Sequence, residues 1–399
     1  RRLERRGRFR FLDMLTVKEP AVHTVLNMVV EEAEKFKARR LVLDSYSALA
    51  QAFKDPMDAR IVAHTLLGKL IRMMGCTTIL IEEVPIGSSK IGFGVEEFVA
   101  DGVLRLSLDE LEGYRLRRLE ILKLRGVRLK DPKLVYTLEG GFKAFPPFNP
   151  QPVDKPRRFQ PLPDQPGKYS TGSKSLDEAL GGGLPKSSVT LLETDEKTTI
   201  GTYRLILSVI RSNFSVQGRN VFMIPSSWID VSMLQRGLVE HYGITEDEWT
   251  RTTRIVTAKG FKSLKSSPVA VFIKGVDWKE DLDQILAEYE KLSAKSDKPS
   301  LFIIGADTLA KLYGDKHCME IIDLTVAEVK DADATIIIPI APSVRHLTFK
   351  ISPMAEIHLR LTMQYGCPML YGVKPRTGLY AVESDASEGY PVPKLTPII

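Results

Sequence analysis

The hydrophobic positions along this chain follow two spacings, one typical of helices and one typical of buried strands. Residues 21–37 and 57–74 place apolar side chains on one helical face, and they predict two helices. A short, continuously apolar run follows each helix, at 41–45 and 77–81, and predicts a strand covered on both faces. Such strands alternating with helices predict an α/β fold with a mostly parallel sheet and helices on both faces.

The second half of the chain repeats this plan. Apolar runs at 189–192, 218–224, 301–305 and 334–340 predict buried strands, and 278–292 predicts an amphipathic helix. Segments closer to a period of two residues close each half, and they predict an antiparallel extension of each sheet. These segments are 95–106, 117–123 and 134–138 in the first half, and 355–361, 369–373 and 379–382 in the second.

The two halves also match residue by residue. The segment 100–106 (ADGVLRL) matches 355–361 (AEIHLRL), and 41–49 lies opposite 302–310. A repeat of this length indicates two copies of one α/β unit.

A proline-rich, polar stretch at 145–168 divides the copies and is typical of an extended interdomain linker. The predicted domains are therefore 1–144 and 169–399. The chain does not begin with Met, and a strand candidate comes at once, at 9–12. We therefore expect the first domain to lack its opening strand and the loop after it, through truncation of the sequence rather than loss from the protein.

The composition is that of a soluble globular protein with two to three domains. The chain has 399 residues, of which 43% are hydrophobic and 27% charged. No apolar run approaches the roughly 18 residues that would cross a bilayer, so no membrane helix is expected. Three cysteines without CxxC spacing predict a reducing cytoplasm and no zinc site. Abundant Ile, Lys, Arg and Glu are compatible with a thermophilic, archaeal-like source.

The net charge of +6 permits contact with nucleic acid without requiring it. The first ten residues carry six arginines, which form either a solvated segment or a phosphate-binding arm. Further basic residues lie in the linker and in the stretch 259–267. The candidate nucleic-acid contacts are Arg1, Arg2, Arg5, Arg6, Arg8, Arg157, Arg158, Lys259, Lys262 and Lys265.

Carboxylates follow two of the predicted strands in the first half. Asp44 and Ser45 end the first strand, and Glu82 and Glu83 follow the second. Ligands of parallel sheets bind at the carboxyl ends of strands, so these residues are candidates for ligand binding, with Glu82 and Glu83 as candidate catalytic groups. Asp44 either holds Mg²⁺ through water or caps the next helix.

The stretch 169–204 opens like a nucleotide-binding domain and then departs from it. STG, LDEALGGGLP and the apolar run 189–192 lead to the position of a phosphate-binding loop. Such a loop needs the pattern GxxxxGK[ST], because its glycines let backbone N–H groups surround a phosphate. Here the residues are Glu193, Thr194, Asp195, Glu196, Lys197 and Thr198. The glycines are missing, and three carboxylates facing this position would repel a triphosphate.

These motifs, in the order GVEEFVADGVLRL, LEILKLRG, linker and LDEALGGGLP, resemble the KaiC family of tandem RecA-fold ATPases over nearly the whole chain. The resemblance implies ATP bound with Mg²⁺ between neighbouring subunits of a ring, often a hexamer. It gives Asp44 the role of the Walker B Asp and makes Lys123 and Arg125 contacts to a neighbour's phosphates. An exposed, edge-protecting pair remains the other interpretation of Lys123 and Arg125. A family His after this segment is replaced by Leu129.

The second copy departs further from the family pattern. Ser226 and Ser227 stand where the family has its acidic pair, and Gly305 stands at the Walker B position, with Asp307 two residues later. Lys374 and Arg376 keep the basic pair that the resemblance assigns to phosphate binding. Three losses in one site predict a degenerate pseudo-ATPase domain without a cofactor.

Three hypotheses about function follow. The first is a regulatory or scaffolding homo-oligomer, a dimer or a hexameric ring, in which only the first domain could hold ATP and Mg²⁺. The second is a factor that binds RNA or a ribonucleoprotein such as the ribosome. The third is an ATPase that works through the first domain alone, which requires a phosphate-binding loop outside this sequence.

Overall fold

The computed structural model describes residues 2–13, 22–50, 61, 64, 75–84, 100–258, 267–331 and 333–399. The chain forms two compact units. The first comprises 1–104 and 121–129, and the second comprises 105–120 and 130–399. None of the helices in the described part of the chain combines the length and apolar character needed to cross a bilayer.

The first unit contains a pair of parallel strands with helices beside them in the sequence. Its elements are α1 (Arg2–Arg5), α2 (Val22–Phe36), β1 (Arg40–Asp44), α3 (Tyr46–Ala50) and β2 (Thr77–Ile81). In the parallel register of β1 and β2, Asp44 lies opposite Ile81. The strand predicted at 9–12 is wrong: these residues form no strand, and the Phe9 and Phe11 side chains are exposed. The helix predicted at 57–74 lies largely outside the described residues.

Four strands follow in an antiparallel sheet, as the period-two pattern predicts. They are β3 (Gly102–Leu111), β4 (Tyr114–Leu124), β5 (Lys133–Thr137) and β6 (Lys143–Phe145), in that order across the sheet. The β3–β4 hairpin turns at Glu112 and Gly113, both with positive φ, which suits a two-residue hairpin turn.

The second unit is built on one ten-stranded sheet. Its strand order is β12-β11-β10-β13-β14-β9-β15-β16-β17-β18. The strands from β12 to β15 in this order pair in parallel, and β15 to β18 pair antiparallel. The prediction of an α/β fold with a large, mostly parallel sheet is confirmed. The strands are β7 (Lys168–Tyr169) and β8 (Leu184–Pro185), which form a separate pair, and β9 (Val189–Thr194), β10 (Val221–Ile224), β11 (Thr253–Ala258), β12 (Ala270–Ile273), β13 (Leu301–Ile304), β14 (Thr335–Ile340), β15 (Ile357–Gln364), β16 (Cys367–Lys374), β17 (Tyr380–Asp385) and β18 (Val392–Pro397).

Helices cover both faces of this sheet. Leu192 packs in a core cluster with Ile206 and Leu234, whereas its neighbour Leu191 packs on the other face with Ile285. Alternate residues of one strand therefore enter opposite cores, which explains why the strands are continuously apolar. The helices are α4 (Lys174–Ala179), α5 (Ile200–Val216), α6 (Val231–Tyr242), α7 (Glu246–Thr252), α8 (Trp278–Ser293), α9 (Ala306–Asp331) and α10 (Thr348–Ile351), with 3-10 turns at Pro342–Leu347 and Ser352–Met354.

The proline-rich stretch belongs to the second unit, and its second half packs into that unit. Phe159 is buried against the rings of Tyr242 and Tyr390. Arg158 makes a two-pronged ion pair with Glu248, and this pair together with the Thr245 cap lowers the pKa of Glu248 to about 2. This part of the stretch is therefore anchored in the second unit by a buried ring and an ion pair.

Candidate functional site

The centre of the second unit's candidate site is a buried carboxylate at the carboxyl end of β9. The Glu193 side chain is fully buried and contacts three basic groups. Arg345 Nε lies 2.8 Å from Oε1, Arg360 Nη2 lies 3.1 Å and 3.0 Å from the two oxygens, and His358 Nε2 lies 3.1 Å from Oε2. Glu193 therefore does not face outward toward an anion, contrary to the sequence-based expectation.

Strand pairing brings these groups together. β15 runs parallel to β9 with Arg360 opposite Glu193, and His358, two residues earlier, lies on the same face of the strand. Burial alone would raise the pKa of Glu193, but hydrogen bonds from His358 and Arg345 and the charge of Arg360 lower it to about 2. Glu193 is therefore a fixed anion, and its basic partners are occupied by it.

The second carboxylate, Asp195, accepts hydrogen bonds from its own loop and from β15. Its Oδ1 accepts hydrogen bonds from the Thr198 hydroxyl at 2.7 Å and from the Lys197 backbone N–H at 3.1 Å. Its Oδ2 accepts from the Thr362 hydroxyl and from the Met363 backbone N–H. Although burial raises the pKa of Asp195, these hydrogen bonds more than offset that effect and lower it. A backbone N–H group of this loop thus points at the loop's own carboxylate.

The rest of the loop leaves little that could bind a phosphate. Thr199 caps α5 by accepting a hydrogen bond from the Thr202 backbone N–H, so part of the helix's N-terminal donor capacity is used internally. Glu196 and Lys197 are exposed, and Thr194 is buried with its hydroxyl bonded to the Ile340 carbonyl. The donor set therefore does not fit a triphosphate.

Gly305, which the family resemblance aligns with the Walker B Asp, packs closely against the backbone of the chain after β10. A Cβ placed on Gly305 would lie 2.6 Å from the Ser226 backbone nitrogen and 2.8 Å from the Pro225 carbonyl carbon. Asp307 instead accepts hydrogen bonds from the Ser227 backbone N–H and hydroxyl, both at 2.7 Å. A carboxylate at Gly305 would require the chain after β10 to move.

The basic pair of the second unit, Lys374 and Arg376, makes contacts within that unit. Lys374 donates to the Ala355 carbonyl at 2.5 Å. The Arg376 guanidinium lies 4.1 Å from the centre of the Tyr114 ring and donates to the Gly113 carbonyl at 3.2 Å. Within the second unit, the Arg376 contacts hold the β3–β4 turn against the turn that follows β16.

In the first unit, the candidate carboxylates lie at the carboxyl ends of two neighbouring strands. Asp44 and Ser45 end β1, and Glu82 and Glu83 follow the adjacent strand β2. The Glu83 backbone N–H donates to the Ser47 hydroxyl at 2.9 Å, which ties the two strand ends together. The Asp44 side chain is exposed, so an oxygen ligand that Mg²⁺ accepts is presented at this edge.

The candidate cations of the first unit lie at the end of β4. Lys123 is half-buried there, and Arg125 is exposed in the turn that follows. Arg125 Nη1 lies 3.0 Å from Asp101 Oδ1, and the Arg125 backbone N–H donates to the Asp101 carbonyl. An exposed pair of this kind is weak, so Arg125 can exchange Asp101 for another anion.

The basic candidates for nucleic-acid binding lie in different environments. Arg5, Arg6 and Arg8 are exposed, whereas Arg158 is engaged by Glu248. Arg157 is exposed and its backbone N–H donates to the Gly389 carbonyl. Arg2 begins α1; Arg1, Lys259, Lys262 and Lys265 lie outside the described residues.

Sequence reasoning missed Arg345, His358 and Arg360 as site residues. One signal was present: His358 and Arg360 are two basic residues at a spacing of two in an otherwise apolar strand. Such a pair must meet an acidic partner on the neighbouring strand if it is buried. Arg345 gave no comparable signal, because only the tertiary fold brings its 3-10 turn to Glu193.

Comparison with known proteins shows which sequences this chain is similar to. A sequence profile described as "ATPase: KaiC" matches residues 1–142. Protein GvpD2 of Halobacterium salinarum is 26% identical over 379 residues, covering 91% of this chain and 73% of that protein. Protein GvpD1 of the same organism is 23% identical, covering 89% and 74%. The circadian clock oscillator protein KaiC of Thermosynechococcus vestitus is 36% identical over 162 residues, covering 39% of this chain and 29% of that protein.

Proposed function

Since this chain is a KaiC-like protein of the RecA superfamily, we propose that it acts as a regulatory or scaffolding subunit of an oligomer. In this proposal the second domain binds no nucleotide and serves as a rigid body. Any ATP and Mg²⁺ are held by the first domain.

One observation carries the proposal: the anion-binding position of the second domain holds an anion of the chain itself. Glu193 occupies Arg345, Arg360 and His358, whose N–H groups could otherwise donate hydrogen bonds to a phosphate. Asp195 satisfies donors of the same loop. Replacing these internal contacts with ATP would leave Glu193 buried without its partners, which costs several kcal/mol.

The first domain keeps three residues that the family resemblance assigns to nucleotide binding. Asp44 is exposed at a strand end and would hold Mg²⁺ through water. Lys123 and Arg125 would contact the phosphates of a nucleotide held by a neighbouring subunit, where the planar Arg fork pairs with phosphate oxygens. This arrangement links nucleotide to assembly, because each site would be completed by a second subunit.

Calorimetric titration of the native-length protein with Mg-ATP tests which domain binds the nucleotide. We expect Asp44→Ala to weaken binding by at least about tenfold, which corresponds to about 1.4 kcal/mol. The matched control is Lys197→Ala, which removes the one lysine of the degenerate loop and should leave binding unchanged. Weaker binding in Lys197→Ala with normal binding in Asp44→Ala would place the nucleotide in the second domain and overturn the proposal.

Sedimentation of the same proteins tests the regulatory part. Mg-ATP should shift the wild-type and Lys197→Ala chains toward the oligomer and should have no effect on Asp44→Ala. An assembly state that never responds to nucleotide would contradict nucleotide-controlled assembly.

A further inference from the structure

The β3–β4 hairpin is shared by the two units of the chain. Residues 105–120, which include its turn, belong to the second unit, whereas β3 before 105 and β4 from 121 belong to the first. Lys123 lies near the end of β4, and Arg125 follows in the next turn. One strand therefore begins in the second unit and ends at the basic pair that the proposed function uses.

The second unit holds the start of β4 through the ring of Tyr114. The Arg376 guanidinium lies over this ring, 4.1 Å from its centre, and Arg376 Nη2 donates to the Gly113 carbonyl at 3.2 Å. The Tyr114 hydroxyl donates to the Gly372 carbonyl at 3.1 Å, and the centre of the Tyr371 ring lies 5.2 Å from that of Tyr114. A cation, a hydrogen bond and an aromatic neighbour therefore fix this side chain.

Two further contacts hold the residues next to the turn. Leu116 is 2% exposed and packs in one hydrophobic cluster with Met369 of β16, and burying a leucine contributes about 1.5–3 kcal/mol. On β3, Asp109 accepts a hydrogen bond from the Tyr365 hydroxyl at 3.1 Å and pairs with Arg118 of β4 at 2.9 Å. Both strands of the hairpin are thus fastened within the second unit.

The buried carboxylate cluster of the second unit also contacts this turn. Arg360 binds Glu193 through Nη2, and its Nη1 donates to Glu112 Oε1 at 3.1 Å. Because Glu193 is fully buried, its charge-assisted hydrogen bonds hold the Arg360 guanidinium in one place. The carboxylate that stands where a phosphate-binding loop would begin is therefore joined to the hairpin by one guanidinium.

We propose that the second unit positions Lys123 and Arg125 through this hairpin. The side chains that hold the turn, here called the hairpin clamp, are Glu112, Tyr114, Arg360, Tyr371 and Arg376. The clamp fixes the turn, and the paired strands carry this constraint to the end of β4. A planar guanidinium pairs with phosphate oxygens only in a narrow range of geometries, so the position of this strand end matters. The inference rests on the proposed function and gives the second domain, which binds no nucleotide in that proposal, a part in completing a neighbour's site.

Hydrogen–deuterium exchange of the native-length protein without nucleotide tests the clamp by itself. Arg376→Ala removes the cation over Tyr114 and the hydrogen bond to Gly113, and it should speed amide exchange at 121–125 by at least about threefold. Arg376→Lys keeps a cation for the ring and should restore most of the protection. The matched control is Lys279→Ala, which removes a cation 5.5 Å from the centre of the Trp278 ring, outside the clamp, and should leave 121–125 unchanged. Wild-type exchange at 121–125 in Arg376→Ala overturns the proposal, whether or not exchange at 112–116 rises.

Sedimentation with Mg-ATP tests whether the clamp acts through the basic pair. Arg376→Ala should raise the Mg-ATP concentration needed for half-maximal assembly by roughly three- to tenfold. In an Arg125→Ala background the same substitution should have little further effect, because the group that it positions is already gone. Full additivity of the two substitutions would contradict the proposal. A wild-type protein that does not assemble with Mg-ATP would contradict the proposed function instead, and the exchange rates at 121–125 would still decide whether the clamp positions the strand end.

Discussion

Two of the strand ends that carry carboxylates place them in opposite environments. After β1, Asp44 is exposed at the edge of a parallel pair. At the end of β9, Glu193 is buried beneath two arginines and a histidine, and Asp195 accepts a hydrogen bond from a hydroxyl of its own loop. A carboxylate presented to solvent can take a metal ion, whereas a carboxylate whose oxygens are all engaged is part of the fold. The comparison shows that the position after β9 carries anions of the chain itself, held by contacts within the fold.

The largest expected effect follows from removing the anion of the buried cluster. Glu193→Gln leaves Arg345, Arg360 and His358 facing an uncharged amide, and breaking a buried pair in this way should cost about 3–5 kcal/mol. Urea unfolding followed by circular dichroism measures the loss. The matched control, Glu196→Gln, removes an exposed carboxylate 3.9 Å from Arg345 and should change stability by less than about 0.5 kcal/mol. Equal effects of the two variants would mean that the cluster is not structural.

Acid titration should reveal the same cluster without a mutation. Glu193 has a pKa of about 2 in the folded chain, below its ordinary value, so its contribution is present at neutral pH and is lost as the pH falls from about 5 to 2. The contribution amounts to about 3 kcal/mol. It is measured as the difference between the pH profiles of wild-type and Glu193→Gln unfolding free energies. Parallel profiles over this range would show that the carboxyl is not held ionised.

A smaller effect should come from the Walker B position. Gly305→Ala pushes a methyl group into the backbone of Ser226 and should destabilise the protein by about 1–3 kcal/mol. Gly201→Ala is the control, because a Cβ at that exposed helical position meets Phe148 at an ordinary 3.6 Å. If Gly305→Ala were as stable as Gly201→Ala, the strand end would have room for a carboxylate and the loss of Asp there would not be fixed by packing.

The smallest effect on stability is expected at the open strand end. Asp44→Ala should change the free energy of unfolding by no more than about 0.5 kcal/mol, since the side chain is exposed. The same variant should lose most of its Mg-ATP affinity, so function and stability separate at this residue. A large loss of stability in Asp44→Ala would assign this carboxylate to the fold as well.

The sequence by itself determined the class of fold and the absence of the GxxxxGK[ST] pattern after the strand at 189–192. Continuously apolar strands such as 301–304 can only be buried on both faces, and period-two segments such as 357–361 pair antiparallel on one side, so periodicity was sufficient. The missing glycines between Glu193 and Thr198 are likewise visible in the letters. The direction in which the Glu193 side chain points cannot be seen in the sequence, because it depends on the register of β9 with β15.

Tertiary structure alone decided which groups surround Glu193. Arg345 and Arg360 stand 152 and 167 residues from Glu193 in the chain, and only strand order and the packing of a 3-10 turn bring the three together. The same holds for Gly305, whose Cβ position is filled by the backbone at Ser226. Local sequence fixes hydrophobic periodicity and turn chemistry, whereas charge neutralisation inside a core depends on which distant strands become neighbours.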